Sequence, residues 1–143
     1  MTEREYLDMY EFVGAAMEVY NTLGRGMYEP IYQEALEREL RRRGMEYERE
    51  KELRLFYKEE LMDKTYFVDF YYKGIMVELK SVEQLDSTHR AQLFNYMRIA
   101  KKSRGILFNY GEESLHTERY LYQPQTDDFI LLNQNNYRNY ITR

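Results

Sequence analysis

The chain has no cysteine, no tryptophan and only two prolines. Without thiols there is no thiol catalysis, no zinc–thiolate site and no disulfide scaffold, which fits the cytosol. Long apolar runs are also missing. A membrane helix needs roughly 18–20 apolar residues in a row, and no segment approaches that. The first residues, MTEREYLDMYEF, carry charges throughout and lack an apolar signal core. A soluble, cytoplasmic protein with no membrane partner is expected. Positive charge is not in excess either, since the net charge is −4 and the pI is near 5.4. A protein that grips nucleic acid through phosphate contacts alone is usually basic. Nucleic acid, if it is the partner, must therefore be engaged locally, with a metal offsetting carboxylates.

What is abundant is tyrosine, at 16 residues. Tyrosine stacks on bases, but it also fills half-buried sheet faces, and packing is the reading its number supports. The length of 143 residues suits one domain, residues 1–143, with a core large enough to stand without staples. No repeat or low-complexity linker divides it.

Apolar residues Met9, Phe12, Val13, Ala16, Met17 and Tyr20 recur at three- and four-residue steps and predict a helix from about Glu5 to Leu23. Gly24-Arg25-Gly26 stops it. A second helix is predicted from about Glu29 to Arg43, with Pro30 in its first turn and Gly44 beyond its end. Met45 to about Leu61 alternates like a strand. Strands follow at Tyr66–Tyr72 and Ile75–Val82, then a helix over about Ser87–Lys102 and a short apolar strand at Gly105–Asn109. One or two short strands are expected in the tail, where Leu121–Tyr122 or Phe129–Leu132 could form an edge that pairs with another subunit, giving a homo-oligomer. The order predicts a mixed α/β sheet of about four strands flanked by helices. Its strand–helix–strand passage, 75–109, is a crossover that makes those two strands parallel.

With Lys73-Gly74 as a two-residue turn, Tyr72 faces Ile75, Tyr71 faces Met76, Phe70 faces Val77 and Asp69 faces Glu78. Side chains alternate between faces along a strand. One face then carries Val68, Phe70, Tyr72, Ile75, Val77 and Leu79; the other carries Phe67, Asp69, Tyr71, Met76, Glu78 and Lys80. Like charges directly opposed across a hairpin are destabilising, so Asp69 and Glu78 need a cation. Lys80 supplies part of it, and a hard divalent ion, Mg²⁺ or Mn²⁺, suits two carboxylates because it keeps several waters. Carboxylates, bound waters and a lysine are the parts of metal-assisted phosphodiester hydrolysis. On its own the pattern D-x(8)-E-x-K is common, and a solvated polar strand face would be the better explanation of it; the hairpin register weakens that explanation without removing it.

Two further segments add to it. Gly26-Met27-Tyr28-Glu29-Pro30-Ile31-Tyr32 fits Gly-x-x-Glu-x-x-Tyr, and Ala91-Gln92-Leu93-Phe94-Asn95-Tyr96 lies on the helix after the hairpin. With Val68-Asp69-Phe70 and Val77-Glu78-Leu79-Lys80-Ser81-Val82, the set in this order resembles the GxxExxY family of the PD-(D/E)XK nuclease-like superfamily. The resemblance implies a restriction-endonuclease-like core. It implies Asp69 and Glu78 as metal ligands with the backbone carbonyl of Leu79, and Lys80 as the catalytic lysine. It further implies Glu29 as an acid reaching the metal or its waters, and Gln92 as a residue orienting water or substrate. No proline precedes Asp69, a departure from the superfamily's name motif. His89, Arg90 and Tyr96 are possible substrate contacts, although a surface or capping role for His89 and packing for Tyr96 compete. The expected function is a divalent-metal-dependent nuclease acting on DNA or RNA. The alternative is a non-catalytic nucleic-acid-binding or assembly module that retains the fold. A basic rim of Arg25, Lys64, Lys73, Arg90, Lys101, Lys102 and Arg104 would favour the nuclease.

Overall fold

A computed structural model describes residues 1–142. Helices α1 (Glu3–Leu23) and α2 (Glu29–Arg42) are followed by strands β1 (Glu48–Tyr57), β2 (Glu60–Tyr72) and β3 (Ile75–Lys80). Helix α3 (Ser87–Ala100) leads into β4 (Arg104–Asn109), β5 (His116–Gln123) and β6 (Asp128–Leu132). Thr2 and Glu5 cap α1 reciprocally. Asp86 caps α3 by accepting from the Thr88 and His89 amides, while His89 Nδ1 accepts from the Asp86 amide at 3.0 Å. His89 is thus spent on capping.

Among the described residues the strands form one sheet in chain order, β1-β2-β3-β4-β5-β6, with only the β3–β4 pair parallel. This is the mixed α/β, restriction-endonuclease-like architecture anticipated, its six strands being the four expected in the core and two short ones in the tail, β5 and β6. One boundary differs: β1 ends at Tyr57 instead of about Leu61, and β2 begins at Glu60 instead of Tyr66. Lys58 and Glu59 both take positive φ, 48° and 72°, closing a tight hairpin without the Asn or Gly that normally marks such a turn. At the other end β5 pairs with β4 and β6. Leu121–Tyr122 is therefore interior to the sheet and cannot be an edge, whereas Phe129–Leu132 lies on the edge strand β6.

The crossover buries β3 and β4 on both sides, and every residue of β4 is buried, as parallel strands covered by helices require. Helices α1 and α2 cover one face, where Met9, Phe12 and Leu36 pack with Phe70, Ile75, Val77 and Phe108. Helix α3 covers the other through Leu93 and Met97, against Leu53, Val68, Met76 and Leu107. Val68 departs from the alternation read off the sequence. It joins the α3 side, while Phe70, two residues on, joins the α1–α2 side. Opposite this switch, between the Arg49–Phe70 and Lys51–Val68 pairs, Glu50 takes a left-handed φ of 49°. The strand turns about its axis at Asp69.

Helix α3 is tied to the sheet by a polar anchor. Buried Glu118 accepts both Arg90 Nε (2.8 Å) and Arg90 Nη2 (2.7 Å), with Tyr120 Oη at 2.5 Å and His116 Nε2 at 2.7 Å. Burial raises the carboxyl's pKa, but the bonds from Arg90, Tyr120 and His116 outweigh it and bring it down to about 2. A depressed carboxyl stabilises the fold above its unfolded value, and that contribution disappears as pH falls from about 4.5 toward 2. Glu118→Gln should cost about 2 kcal/mol at pH 7, short of a fully buried pair because Arg90 keeps 34% of its side chain exposed. Urea unfolding at pH 7 and pH 3 checks this: the gap between wild type and variant narrows at the lower pH.

Candidate active site

The β2–β3 hairpin turns at Lys73-Gly74, both at positive φ. The predicted register holds for Tyr72–Ile75, Tyr71–Met76 and Phe70–Val77. The ladder ends there, one pair short of Asp69 and Glu78, because the two acids take over as acceptors. The Asp69 amide donates to Glu78 Oε1 at 2.9 Å, and the Leu79 amide donates to Asp69 Oδ2 at 2.9 Å. Each carboxylate thereby satisfies the backbone of the strand opposite. Glu78 is 2% exposed, and Lys80 Nζ stands 4.0 Å from its Oε2.

Burial raises the pKa of Glu78 well above the usual carboxylate range, and the Asp69 charge raises it further; the Asp69 amide and Lys80 only partly oppose this. Burial raises Asp69 too, against the Leu79 amide and Lys80. One ammonium does not compensate two buried carboxylates. Among the described residues no three His, Asp or Glu side chains are arranged to chelate an ion. A hard ion that keeps most of its waters needs only one or two carboxylates, and the donor set of this pair, all oxygen and short of positive charge, fits such an ion.

Glu29 opens α2. Burial raises its pKa, Lys80 lowers it and Asp69 raises it, so helix and hairpin meet electrostatically. The Gly26–Tyr32 segment explains why Glu29 sits there. Gly26, at φ +82°, donates its amide to the Tyr110 carbonyl at 3.0 Å. Tyr32 Oη donates to the Gly24 carbonyl at 2.6 Å and accepts from the Met27 amide at 3.1 Å. Its ring stacks on Tyr110 at 4.2 Å, and Ser81, next to Lys80, donates to the Met27 carbonyl at 2.5 Å. The glycine and tyrosine of the motif thus hold the loop that presents its glutamate.

Gln92 reaches the site indirectly, its Nε2 donating to Tyr96 Oη at 3.1 Å. The Tyr96 phenol is raised first by burial and then by Glu78, and its ring packs in the cluster that holds Val68, the residue before Asp69. His89 and Arg90 are not brought in, being committed to the α3 cap and to Glu118. The anticipated rim is corrected in the same way. Lys73 and Arg104 lie at the far end of β3, where Arg104 donates to the Glu5 carbonyl at 2.7 Å and to the Lys73 carbonyl. Arg25 does line a groove of about 760 Å³ beside Ser81 and Val82, but with Glu83, Glu112 and Glu113.

Two residues were missed. Gln33, one turn after Glu29, donates to Glu29 Oε1 at 3.3 Å, and its side chain helps lower the pKa of Asp69; its i, i+4 spacing from Glu29 was the available signal. Buried Asn109 fixes the chain leaving β3, accepting from the Val82 amide (3.0 Å) and donating to the Val82 carbonyl (2.9 Å). Nothing in its sequence context marks it. Gly111 lies so close that a Cβ there would stand 2.0 Å from the Val82 carbonyl oxygen.

A family model for the PD-(D/E)XK nuclease superfamily matches residues 7–121. No curated protein matches the chain. Among solved structures, the crystal structure of SSO0001 is similar at 19% identity and a TM-score of 0.49, over 63% of this chain and 48% of that one. The chain spans about half the length of that protein.

Proposed function

The chain belongs to the PD-(D/E)XK nuclease superfamily, and on that premise we propose that it is a divalent-metal-dependent nuclease with Asp69, Glu78 and Lys80 at its centre. The carrying observation is the interlocked pair, in which each acid is held by a backbone amide beside a lysine. The ordered motifs around Glu29, Asp69, Glu78 and Gln92 further support the GxxExxY branch of the superfamily.

In this reading Asp69, Glu78 and the Leu79 carbonyl would hold Mg²⁺ or Mn²⁺. When bound, such an ion polarises a phosphoryl oxygen and makes a water more acidic. The chain's own groups do the rest. Lys80, with 15% of its side chain exposed, offers a fixed ammonium that orients the attacking water or neutralises charge growing on the phosphate. Glu29, its pKa raised by burial, holds a second water and takes up a proton near neutral pH more readily than a solvated acid. Gln92 fixes the hydroxyl of Tyr96. The partner is nucleic acid, DNA or RNA.

A second reading, a binding module that keeps the fold without turnover, draws on Glu83, Glu112 and Glu113 in the groove beside Lys80. Calorimetric titration with Mn²⁺ separates the two. The wild type should bind, while Asp69→Ala and Glu78→Ala should not, their circular dichroism being unchanged. No heat at millimolar Mn²⁺, together with no cleavage of DNA or RNA, would leave the binding module.

A further inference from the structure

Beside the acids, β1, β2 and α3 enclose a groove of about 580 Å³ whose walls include Leu55, Tyr66, Gln92, Asn95, Tyr96 and Arg98. We infer that it takes an unstacked nucleobase next to the scissile phosphate, which makes single-stranded nucleic acid the substrate. This rests on the reading of Asp69 and Glu78 as a phosphodiester site.

The groove's parts are those a lone base requires. Tyr66 and Tyr96 present rings 6.0 Å apart at 47°, and Tyr66 is 40% exposed; Lys64 Nζ lies 5.4 Å over its ring, so a base stacks there once that side chain swings aside. Asn95 accepts from Arg98 Nη1 through its oxygen, and Gln92 donates to Tyr96 through its nitrogen. Among the described residues the Gln92 oxygen and the Asn95 nitrogen have no hydrogen-bond partner, leaving one acceptor and one donor for a base edge. Arg98 stacks on Phe129 at 4.9 Å and is held by Asp127 at 3.1 Å, a stiff cation at the rim.

Position ties the groove to the chemistry. Tyr66 lies three residues before Asp69 on β2, about 10 Å away along the strand, and Tyr96 packs in one cluster with Val68, the residue before Asp69, and with Met76 of β3. In a duplex every base is stacked and paired, so none can enter a wedge between a hairpin and a helix without leaving the stack. A single strand meets no such cost. The charge of the chain agrees, because a net charge of −4 suits stacking better than a grip built on many phosphates.

Fluorescence anisotropy in EDTA, with a labelled 12-nucleotide single strand and the same sequence as a blunt duplex, reads binding without turnover. The single strand should bind at least about tenfold more tightly than the duplex. Tyr66→Leu should weaken it by about tenfold and Tyr66→Phe should retain it. Asn95→Ala, at an exposed helix position, weakens single-strand binding without touching the sheet. A duplex bound as well as the single strand, a Tyr66→Leu protein that binds like wild type, or a wild type that binds neither oligonucleotide would each overturn the inference. Cleavage is read separately. Tyr66-dependent single-strand binding without Mn²⁺ binding or cleavage would keep the groove and remove the nuclease; Mn²⁺-dependent cleavage of duplex alone would do the reverse.

Discussion

Lys80→Ala should lower the rate of Mn²⁺-dependent cleavage by about 10²–10³-fold, the usual cost of losing one aimed charge donor in a dry site. Among the described residues Lys80 is the one cation within 4.0 Å of the acid pair, and no other amine or guanidinium among them is bonded at the site. Arg90 is held by Glu118, and Arg104 lies at the other end of the sheet. Mn²⁺ binding should tighten or stay unchanged in the variant, since removing an ammonium leaves the carboxylates more strongly negative. Single-turnover cleavage assays together with the calorimetric titration distinguish the outcomes. Lost cleavage with retained metal binding assigns Lys80 to the chemical step, while loss of both would make it a support for the carboxylates. Full activity without the lysine would remove it from the mechanism.

Glu78→Gln should have the opposite sign on stability. In metal-free protein at pH 8 the variant should be more stable than wild type by about 1–2 kcal/mol, because it removes one charge from a buried like-charged pair. The amide oxygen of glutamine can still accept the Asp69 N–H that Glu78 Oε1 accepts at 2.9 Å, so the hairpin keeps its hydrogen bond. Saturating Mn²⁺ should then reverse the ranking. An ion at about 100 times its Kd adds about 2.7 kcal/mol to the native state that binds it, and the variant should gain almost nothing. Urea unfolding in EDTA and in Mn²⁺ gives all four values. A variant that is less stable in EDTA would show that the acids are a structural hydrogen-bonded pair rather than a strained ligand set.

Much of this site was legible because its central element is local. Lys73-Gly74 announces a turn, and the alternation on either side sets the register that brings Asp69 toward Glu78. The sequence could not show that the ladder ends at Phe70–Val77, nor that Val68 crosses to the α3 side, because both depend on the twist at Asp69 opposite Glu50. The Lys58-Glu59 turn was hidden for a related reason. Its residues adopt positive φ under the pull of the paired strands, against their own preference. Long-range placements were the least legible. Arg104 and Lys73 read as free surface cations, yet Arg104 is 5% exposed and closes the far end of the sheet. Glu29 was identified only through its motif, and the Tyr32–Tyr110 stack that fixes it joins segments far apart in the chain.

The chain-order sheet also sets an order of assembly. The two acids and the lysine are closed by a short local hairpin, the least costly kind of loop to form. Glu29 and Tyr96 belong to helices that must dock from opposite faces, one before the hairpin in the chain and one after it. A centre of negative charge therefore exists before its walls do, and each docking helix removes water from it. If the hairpin captures the proposed ion at that stage, burial becomes easier, and the yield of native protein on refolding should rise with added Mn²⁺.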